Sequence, residues 1–262
     1  MGILQVIGGG KMGEALVGGL LRSGRDAADL LVVEKDPARV QALHAALPGV
    51  SVTDQPVPAE GTLLAVKPGD VPAVCRSVAE AGTERVLSIA AGVTIATLEA
   101  NLVPGTPVVR AMPNTPALVG VGAAAIAPGT TAAEEDLLWA ESLLGSVGTV
   151  VRVDEALLDA VTGLSGSGPA YVFLVAEALI AAGVEAGLPP EVSYSLSVQT
   201  LLGAATLLAR SPEGPEALRA AVTSPHGTTA AGLAVLDDLG VRQAFAAAVL
   251  RAAERSRELG QA

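Results

Sequence analysis

The chain of 262 residues has few aromatic side chains, one cysteine and few charges. Phenylalanine, tyrosine and tryptophan make up 2% of it, so its core must be built from alanine, valine and leucine. The single cysteine, Cys75, excludes an intrachain disulfide and predicts a cytoplasmic protein, because disulfides persist mainly in oxidising compartments. Cys75 itself fits a small core residue better than a catalytic thiol.

Basic residues are also scarce. The chain has 16 Lys and Arg against 27 Asp and Glu, which gives a formal net charge of -11. This balance argues against a nucleic-acid partner, because binding to a phosphate backbone requires a basic face. No cluster of His, Cys, Asp or Glu has the spacing of metal ligands, so we expect no metal site.

The low charge raises the question of a membrane span. Charged residues make up 16% of the chain, and the mean hydropathy is +0.52. A spanning helix needs about 20 apolar residues, and the best candidate, residues 170–187, contains Glu177 and Glu185. We therefore expect no membrane association, and expect the apolar surface to be buried between subunits.

The strongest local pattern lies near the N-terminus. An apolar run at residues 3–7 has the length of a strand and leads into a G-x-G-x-x-G motif formed by Gly8, Gly10 and Gly13. Apolar residues then recur at helical spacing. In this setting the glycines permit a tight turn, close approach of a pyrophosphate and close helix–strand packing. The pattern predicts a dinucleotide site at the N-terminus of the helix, where free N–H groups bind anions.

Strand-like and helical segments alternate as far as about residue 152. This alternation predicts an α/β fold with a Rossmann-type doubly wound parallel sheet, in which the loops that follow the strands meet at one edge. Lys67, Ala91 and residues 112–114 fall in such loops. Beyond that point only Ala/Leu-rich helical stretches follow. The sequence thus predicts a dinucleotide-binding domain over residues 1–152 and an all-helical domain over residues 153–262.

Two glycine-rich loops interrupt the predicted helices. Residues 162–169 contain two serines, and Pro169 suits the start of a helix; a break needed for packing explains part of this loop. Residues 223–229 open another helix, where hydroxyls and free N–H groups can bind a small carboxylate. A plain Ser/Thr cap explains that second loop equally well. His226 lies in it and is a conceivable acid, although an incidental role is favoured.

Taken together, the motifs resemble the pyrroline-5-carboxylate reductase family over residues 3–259. The matching segments, in chain order, are IGGGxM at 7–12, AVKP at 65–68, SIAAG at 88–92, RxMPNTP at 110–116, DAVTGLSGSGPAY at 159–171 and SPxGTT at 224–229. The last two segments are the specific ones, because a Rossmann fold alone would not single out a family.

The resemblance implies reduction of L-1-pyrroline-5-carboxylate to L-proline with NAD(P)H, in a homodimer or a larger ring of dimers. It implies that Ser165 and Gly166 close the site and that backbone N–H groups of Gly227, Thr228 and Thr229 hold the substrate carboxylate. Thr229 would be the catalytic residue, its hydroxyl bonding the ring nitrogen. The cofactor-binding residues expected from the motifs and the resemblance are Gly8, Gly10, Lys11, Met12, Gly13, Glu34, Lys35, Val66, Lys67, Pro68, Ala91, Met112, Pro113 and Asn114.

This chain departs from the family pattern at two positions. The family usually has glycine where His226 stands. In addition, Glu34 ends the second predicted strand, where an acid bonds a ribose 2′-hydroxyl and repels a 2′-phosphate, which favours NAD. The family more often uses NADPH, and Lys35 and Arg39 could neutralise a phosphate. We therefore expect NADP(H), with NAD(H) as the alternative.

Two other functions fit the same build. One is a different imine or hydroxyacid reductase; related hydroxyacid enzymes use a lysine of the helical domain as proton donor, and no lysine follows Lys67 here. The other is a non-catalytic nucleotide-binding relative. The presence of both the glycine turn and the hydroxyl-rich loop argues against it.

Overall fold

The computed structural model describes residues 2–260. Met1, Gln261 and Ala262, the outermost residues of the two predicted domains, lie outside the described part. The strands are β1 (Leu4–Ile7), β2 (Leu30–Val33), β3 (Ser51–Thr53), β4 (Gly61–Leu64), β5 (Val86–Ser88), β6 (Val108–Met112), β7 (Gly122–Pro128) and β8 (Gly148–Arg152). The helices are α1 (Lys11–Arg22), α2 (Pro37–Ala46), α3 (Val71–Ala81), α4 (Ile95–Glu99), α5 (Glu134–Gly145), α6 (Leu158–Val161), α7 (Gly168–Glu185), α8 (Pro190–Arg210), α9 (Pro215–Ala221), α10 (Thr228–Asp238) and α11 (Val241–Gly260).

The strands form one eight-stranded sheet in the order β3-β2-β1-β4-β5-β6-β7-β8. Every neighbouring pair is parallel except β6 and β7. The predicted Rossmann-type doubly wound fold is therefore confirmed, with a sheet that parallel pairs dominate. Ile7 at the end of β1 pairs with both Val33 and Leu64, so the chain that follows β1 leaves the sheet where the strand order reverses. Ligands of such sheets bind at this switch point.

The antiparallel pairing of β7 was not predicted. Only residues 113–121 join β6 to β7, and a parallel return needs a crossover of a dozen or more residues. The connection contains only a short 3-10 helix, Thr115–Val119, so β7 runs back beside β6. β8 then lies parallel to β7, because α5 supplies a full crossover between them.

Apolar side chains pack on both faces of the sheet. Leu16, Val17 and Leu20 of α1 recur at helical spacing and are buried in a cluster that includes Val6. Ile7 points to the opposite face, since neighbouring residues of a strand alternate, and joins the cluster that contains Cys75. The core is aliphatic, as the composition predicts, and Cys75 is a buried core residue.

The predicted loop at residues 162–169 is largely helical. Thr162–Gly166 form a π-helical turn between α6 and α7. The hydroxyls of Thr162 and Ser165 donate to carbonyls four residues back, at 2.8 and 3.2 Å. Gly163 is required by packing, because a Cβ there would lie 2.5 Å from the Val249 carbonyl oxygen. Gly163 therefore serves helix packing here, and π-helical turns are frequent at functional sites.

The described chain divides into two compact units. One contains the residues up to Ser167 together with those from Val249 onward, and the other is Gly168–Ala248. Within residues 168–248 Ser193 is the one buried residue; its hydroxyl donates to the Ile180 carbonyl at 2.7 Å. Large apolar side chains of this unit are exposed instead, among them Phe173, Leu174, Tyr194, Leu196, Leu202 and Leu239.

Two helical stretches pass a test for membrane spans by length and composition. They are Glu155–Glu185 and Pro190–Arg210, with mean hydropathies of 1.6 and 1.3. The first stretch contains Glu177 and Glu185, so it is not an uninterrupted apolar run, and the expectation of no membrane association stays a prediction. One or two such helices are weak evidence for a membrane, and the same apolar faces suit a subunit interface.

Candidate active site

The glycine turn lies at the carboxyl end of β1, between β1 and α1. Gly8 has a φ of 100°, and a Cβ there would lie 2.6 Å from the Ala65 carbonyl oxygen. A Cβ on Gly13 would collide with the Gly8 carbonyl oxygen. These two positions need glycine because of backbone conformation and close helix–strand approach.

Gly10 has a different reason to be glycine. It precedes α1 as the N-cap residue, no side chain caps this N-terminus, and a Cβ on Gly10 would meet nothing within 4 Å. The space beside it is therefore open, and the first N–H groups of α1, from Lys11 and Met12 onward, have no side-chain acceptor at the cap. This arrangement fits a dinucleotide pyrophosphate, which helix N-termini bind through N–H groups and the helix dipole.

The middle glycine of the turn, Gly9, is held from both sides. Its N–H donates to Glu34 Oε2 at 3.0 Å, and its carbonyl accepts from the Arg39 guanidinium. Arg39 also forms an ion pair with Glu14 of α1. The backbone N–H groups of Lys35 and Asp36 donate to Glu34 Oε1, at 2.7 and 3.0 Å. The end of β2, the start of α2 and the glycine turn are thereby joined in one polar network.

The other predicted cofactor residues of this unit follow parallel strands. Val66, Lys67 and Pro68 come after β4, and Ala91 comes after β5. Because β1, β2, β4, β5 and β6 are parallel, the chain leaving each of them emerges at the same edge as the glycine turn. Lys67 and Ala91 are exposed there, whereas Val66 is half-buried.

Residues far apart in sequence meet at the end of β6. The amide nitrogen of Asn114 donates to the Ser165 carbonyl at 3.1 Å, and its oxygen accepts from the Ala123 N–H at 2.8 Å. A Cβ on Gly166 would lie 2.6 Å from Met112 Cε. The structure thus brings Met112, the buried Pro113 and Asn114 to the π-helical turn that carries Ser165 and Gly166.

The second predicted loop belongs to the unit Gly168–Ala248. The Gly227 N–H donates to the Ser224 carbonyl at 3.0 Å, which closes a turn ahead of α10. His226 has a φ of 60° and is the one non-glycine residue with a positive φ within residues 2–260. Gly227 is the N-cap of α10 and no side chain caps that helix, so the plain Ser/Thr cap is not what forms. The N–H groups of Thr228 and Thr229 in the first turn remain without a side-chain cap.

Glu155 was not identified from the sequence. Its Oε1 accepts from the Arg110 guanidinium at 2.8 Å and from the Ile95 N–H at 2.7 Å. Arg110 is buried within β6, two residues before Met112. The pair therefore fastens the strand that ends at Met112 to the start of α4. The sequence does contain one signal for such a partner, because an arginine within an apolar strand would be buried and a buried charge needs a partner.

The fold and the uncapped N-terminus of α1 indicate a class of protein, a Rossmann-type dinucleotide-binding protein with a helical second part. Family models give the finer assignment. Residues 155–259 match "Pyrroline-5-carboxylate reductase dimerisation", and residues 3–92 match "NADP oxidoreductase coenzyme F420-dependent".

Individual relatives agree with the family models. The chain is 44% identical to a pyrroline-5-carboxylate reductase of Mycobacterium tuberculosis H37Rv, covering 99% of this chain and 97% of that protein. It is 41% identical to one of Arabidopsis thaliana, covering 97% and 94%.

Solved structures are similar as well. The pyrroline-5-carboxylate reductase of Coxiella burnetii has a TM-score of 0.92 at 35% identity, covering 98% of this chain and 97% of that one. The Plasmodium falciparum enzyme, with NADP bound, has a TM-score of 0.84 at 28% identity, covering 98% of both chains. This chain belongs to the pyrroline-5-carboxylate reductase family.

Proposed function

We propose that this chain reduces L-1-pyrroline-5-carboxylate to L-proline, the last step of proline biosynthesis. The observation that carries the proposal is family membership along nearly the whole chain, including both of the segments that distinguish the family. When bound, the reduced nicotinamide supplies the hydride that reaches the C=N carbon. The task of the chain's own residues is then to hold the substrate, exclude water and provide a proton.

The loop before α10 is the proposed carboxylate site. The N–H groups of Gly227, Thr228 and Thr229 suit an anion, because the N-terminus of α10 has no side-chain cap and carries the positive end of the helix dipole. Thr229, which is exposed, would donate its hydroxyl to the ring nitrogen and help to protonate it. An iminium is already electrophilic, so this modest acid assistance is sufficient in chemical terms.

The Asn114–Ser165 contact is the proposed nicotinamide end. Met112, Pro113 and Asn114 would flank the nicotinamide, and Ser165 with Gly166 would close the substrate site. The hydrogen bond from Asn114 to the Ser165 carbonyl supports this role, because it ties the loop after β6 to the π-helical turn.

The coenzyme is a pyridine nucleotide. The resemblance leads to NADP(H), and the relative with NADP bound is in keeping with it. The alternative is NAD(H), which the acid at Glu34 favours. Gly8, Gly10 and Gly13 would place the pyrophosphate on α1, beside Lys11 and Met12, while Val66, Lys67, Pro68 and Ala91 would line its path.

The helical part forms the subunit contact in this family, and the chain is a homo-oligomer. We propose a homodimer built on the exposed apolar faces of α7 and α8, with a ring of dimers as the larger alternative. The domains, 1–152 for the dinucleotide and 153–262 for dimerisation and substrate, are proposed as functional halves. A cytoplasmic location, without membrane or nucleic acid as partners, completes the proposal.

The direct test is absorbance at 340 nm with pyrroline-5-carboxylate, using NADPH and NADH in parallel. We expect oxidation of the nucleotide that depends on the substrate. Binding of either nucleotide without oxidation would contradict the proposal. In that case other cyclic imines should be tried next, and inertness toward them all would favour a non-catalytic nucleotide-binding protein.

A further inference from the structure

We propose that Glu34 and Arg39 make this member of the family prefer NAD(H) to NADP(H). This inference rests on the proposed pyridine-nucleotide site and concerns its specificity. It departs from the expectation that the family resemblance gives.

The carboxylate of Glu34 is fixed in place with one oxygen still able to accept. Its Oε1 accepts two N–H groups, from Lys35 and Asp36, and its Oε2 accepts one, from Gly9. A carboxylate has about four acceptor positions, two on each oxygen. The remaining position is therefore on Oε2, the oxygen that lies against the glycine turn. A ribose 2′-hydroxyl can donate to it, whereas a 2′-phosphate would meet a negative charge that cannot swing away.

The positive charge that could offset Glu34 is already engaged. Arg39 donates to the Gly9 carbonyl and forms an ion pair with Glu14. Its side chain is 26% exposed, so it is held by the turn and does not extend into solvent. Binding a 2′-phosphate through Arg39 would require breaking that pair and releasing the Gly9 carbonyl, which costs part of the interaction gained.

Lys35 does not offset the negative charge that a 2′-phosphate would meet at Glu34. Lys35 is exposed, and the neighbouring Asp36, also exposed, carries the opposite charge. The Asp36 carboxylate is itself fixed, because it accepts from the Ala38 N–H at 2.9 Å as the cap of α2. Glu34 is thus the one acid of this loop whose carboxylate touches the glycine turn, and the local charge around it disfavours a phosphate.

The test is equilibrium binding of NADH and NADPH to the purified full-length protein, followed by the fluorescence of the reduced nicotinamide. Competition by 2′-AMP and 5′-AMP reports on the same position. For the unaltered protein we expect NADH to bind roughly tenfold or more tightly than NADPH, since a fixed like charge is costly. For Glu34→Gln we expect the ratio of the two dissociation constants to move roughly tenfold toward NADPH.

Two further variants separate specificity from structure. Asp36→Asn removes one nearby charge and keeps a good helix cap, so the ratio should stay within about twofold. Glu14→Gln releases Arg39 from its partner and should improve NADPH binding while leaving NADH unchanged. If Glu34 only supported the turn, Glu34→Gln would weaken both nucleotides equally and leave the ratio as it was.

Tighter binding of NADPH by the unaltered protein would overturn the inference, as would an unchanged ratio in Glu34→Gln. These outcomes are distinct from failure of the proposed function. A protein that binds NADH preferentially but oxidises neither nucleotide with pyrroline-5-carboxylate would retain this specificity and lose the reductase assignment.

Discussion

The side-chain amide of Asn114 donates a hydrogen bond to the backbone carbonyl of Ser165 at 3.1 Å. The same side chain accepts from the Ala123 N–H at 2.8 Å, so it joins the loop after β6 to β7 and to the π-helical turn. We expect Asn114→Ala to lower the free energy of unfolding by about 1–3 kcal/mol, because two half-buried backbone groups lose their partner. Urea unfolding and turnover should be measured together.

Asn114→Asp is the matched control for that variant. It retains the acceptor for the Ala123 N–H and loses the donor to Ser165. If the Ser165 contact positions the π-helical turn, Asp should reduce turnover nearly as much as Ala while losing less stability. If Asn114→Asp had the same turnover as the unaltered protein, the Asn114–Ser165 hydrogen bond would not be needed for catalysis.

Thr229 is the residue proposed to act on the substrate nitrogen. We expect Thr229→Ala to lower turnover well beyond tenfold, within the range of about 10²–10⁴ that a positioned proton donor contributes. Cofactor binding should be nearly unchanged. Thr229→Ser, which keeps a hydroxyl at the first turn of α10, should recover much of the rate. Full turnover in Thr229→Ala would remove this side chain from the mechanism.

His226 occupies a backbone conformation that favours glycine. It follows Pro225 in the turn closed by Gly227 and Ser224, with a φ of 60°. Left-handed conformation costs a non-glycine residue about 1–2 kcal/mol, partly offset by the entropy that glycine loses on folding. We therefore expect His226→Gly to stabilise the protein by roughly 0.5–1 kcal/mol, measured by urea unfolding.

His226→Ala provides the control, since it removes the imidazole and keeps the backbone cost. It should not gain the stability of the glycine variant. If the imidazole is incidental, turnover should remain within about twofold in both variants, well below the effect of a catalytic acid. A similar loss of turnover in both would instead assign the imidazole a role in the reaction.

The buried thiol of Cys75 should be unreactive in the folded protein. Burial raises its pKa from 9.0 to about 11, while the nearby Arg76 lowers it slightly. Because the thiolate is the reactive form, we expect almost no reaction with Ellman's reagent near pH 8 until guanidinium unfolds the chain. Rapid labelling of the native protein would show that α3 opens readily. Cys75→Ala should show no labelling under either condition.

Glu60 should contribute a small pH dependence to stability. The Gly2 N–H donates to its carboxylate and, with Arg85, lowers the pKa of Glu60 below its ordinary value of 4.5, against a smaller opposing effect of burial. A lowered pKa in the folded state stabilises the protein above about pH 4.5, and this stabilisation is lost as the pH falls through the lowered value.

Glu60→Gln should therefore reduce the loss of stability on acidification. The carboxylate is 31% exposed, so we expect an effect of less than about 1 kcal/mol, measured by thermal unfolding from pH 7 down to pH 3. Glu84→Gln, which changes an exposed acid next to Arg85 in sequence, is the control for the loss of one negative charge. Identical profiles for Glu60→Gln and the unaltered protein would contradict the prediction.

Much of the sheet could be predicted, but not the direction of every strand. The apolar run at residues 3–7 and the second predicted strand, which ends at Glu34, correspond to β1 and β2. The carboxylate of Asp36 accepts from the Ala38 N–H at the start of α2. β7 is antiparallel to β6 because the connection after Met112 is short. The apolar pattern of a strand gives no information on its direction. For Thr162–Gly166 the sequence predicts a loop, because glycine is a poor helix former in isolation, whereas the structure has a π-helical turn there.

Features that depend on local chemistry could be predicted from the residues alone. Gly8 is required by its backbone conformation, and the buried runs alternate between the two faces of the sheet because a strand has a period of two. Features that join distant segments became visible only in the folded chain. Glu34 reaches the N–H of Gly9, and Asn114 reaches Ser165. Such contacts depend on the path of the whole chain, which brings together side chains whose separation in sequence carries no signal of their pairing.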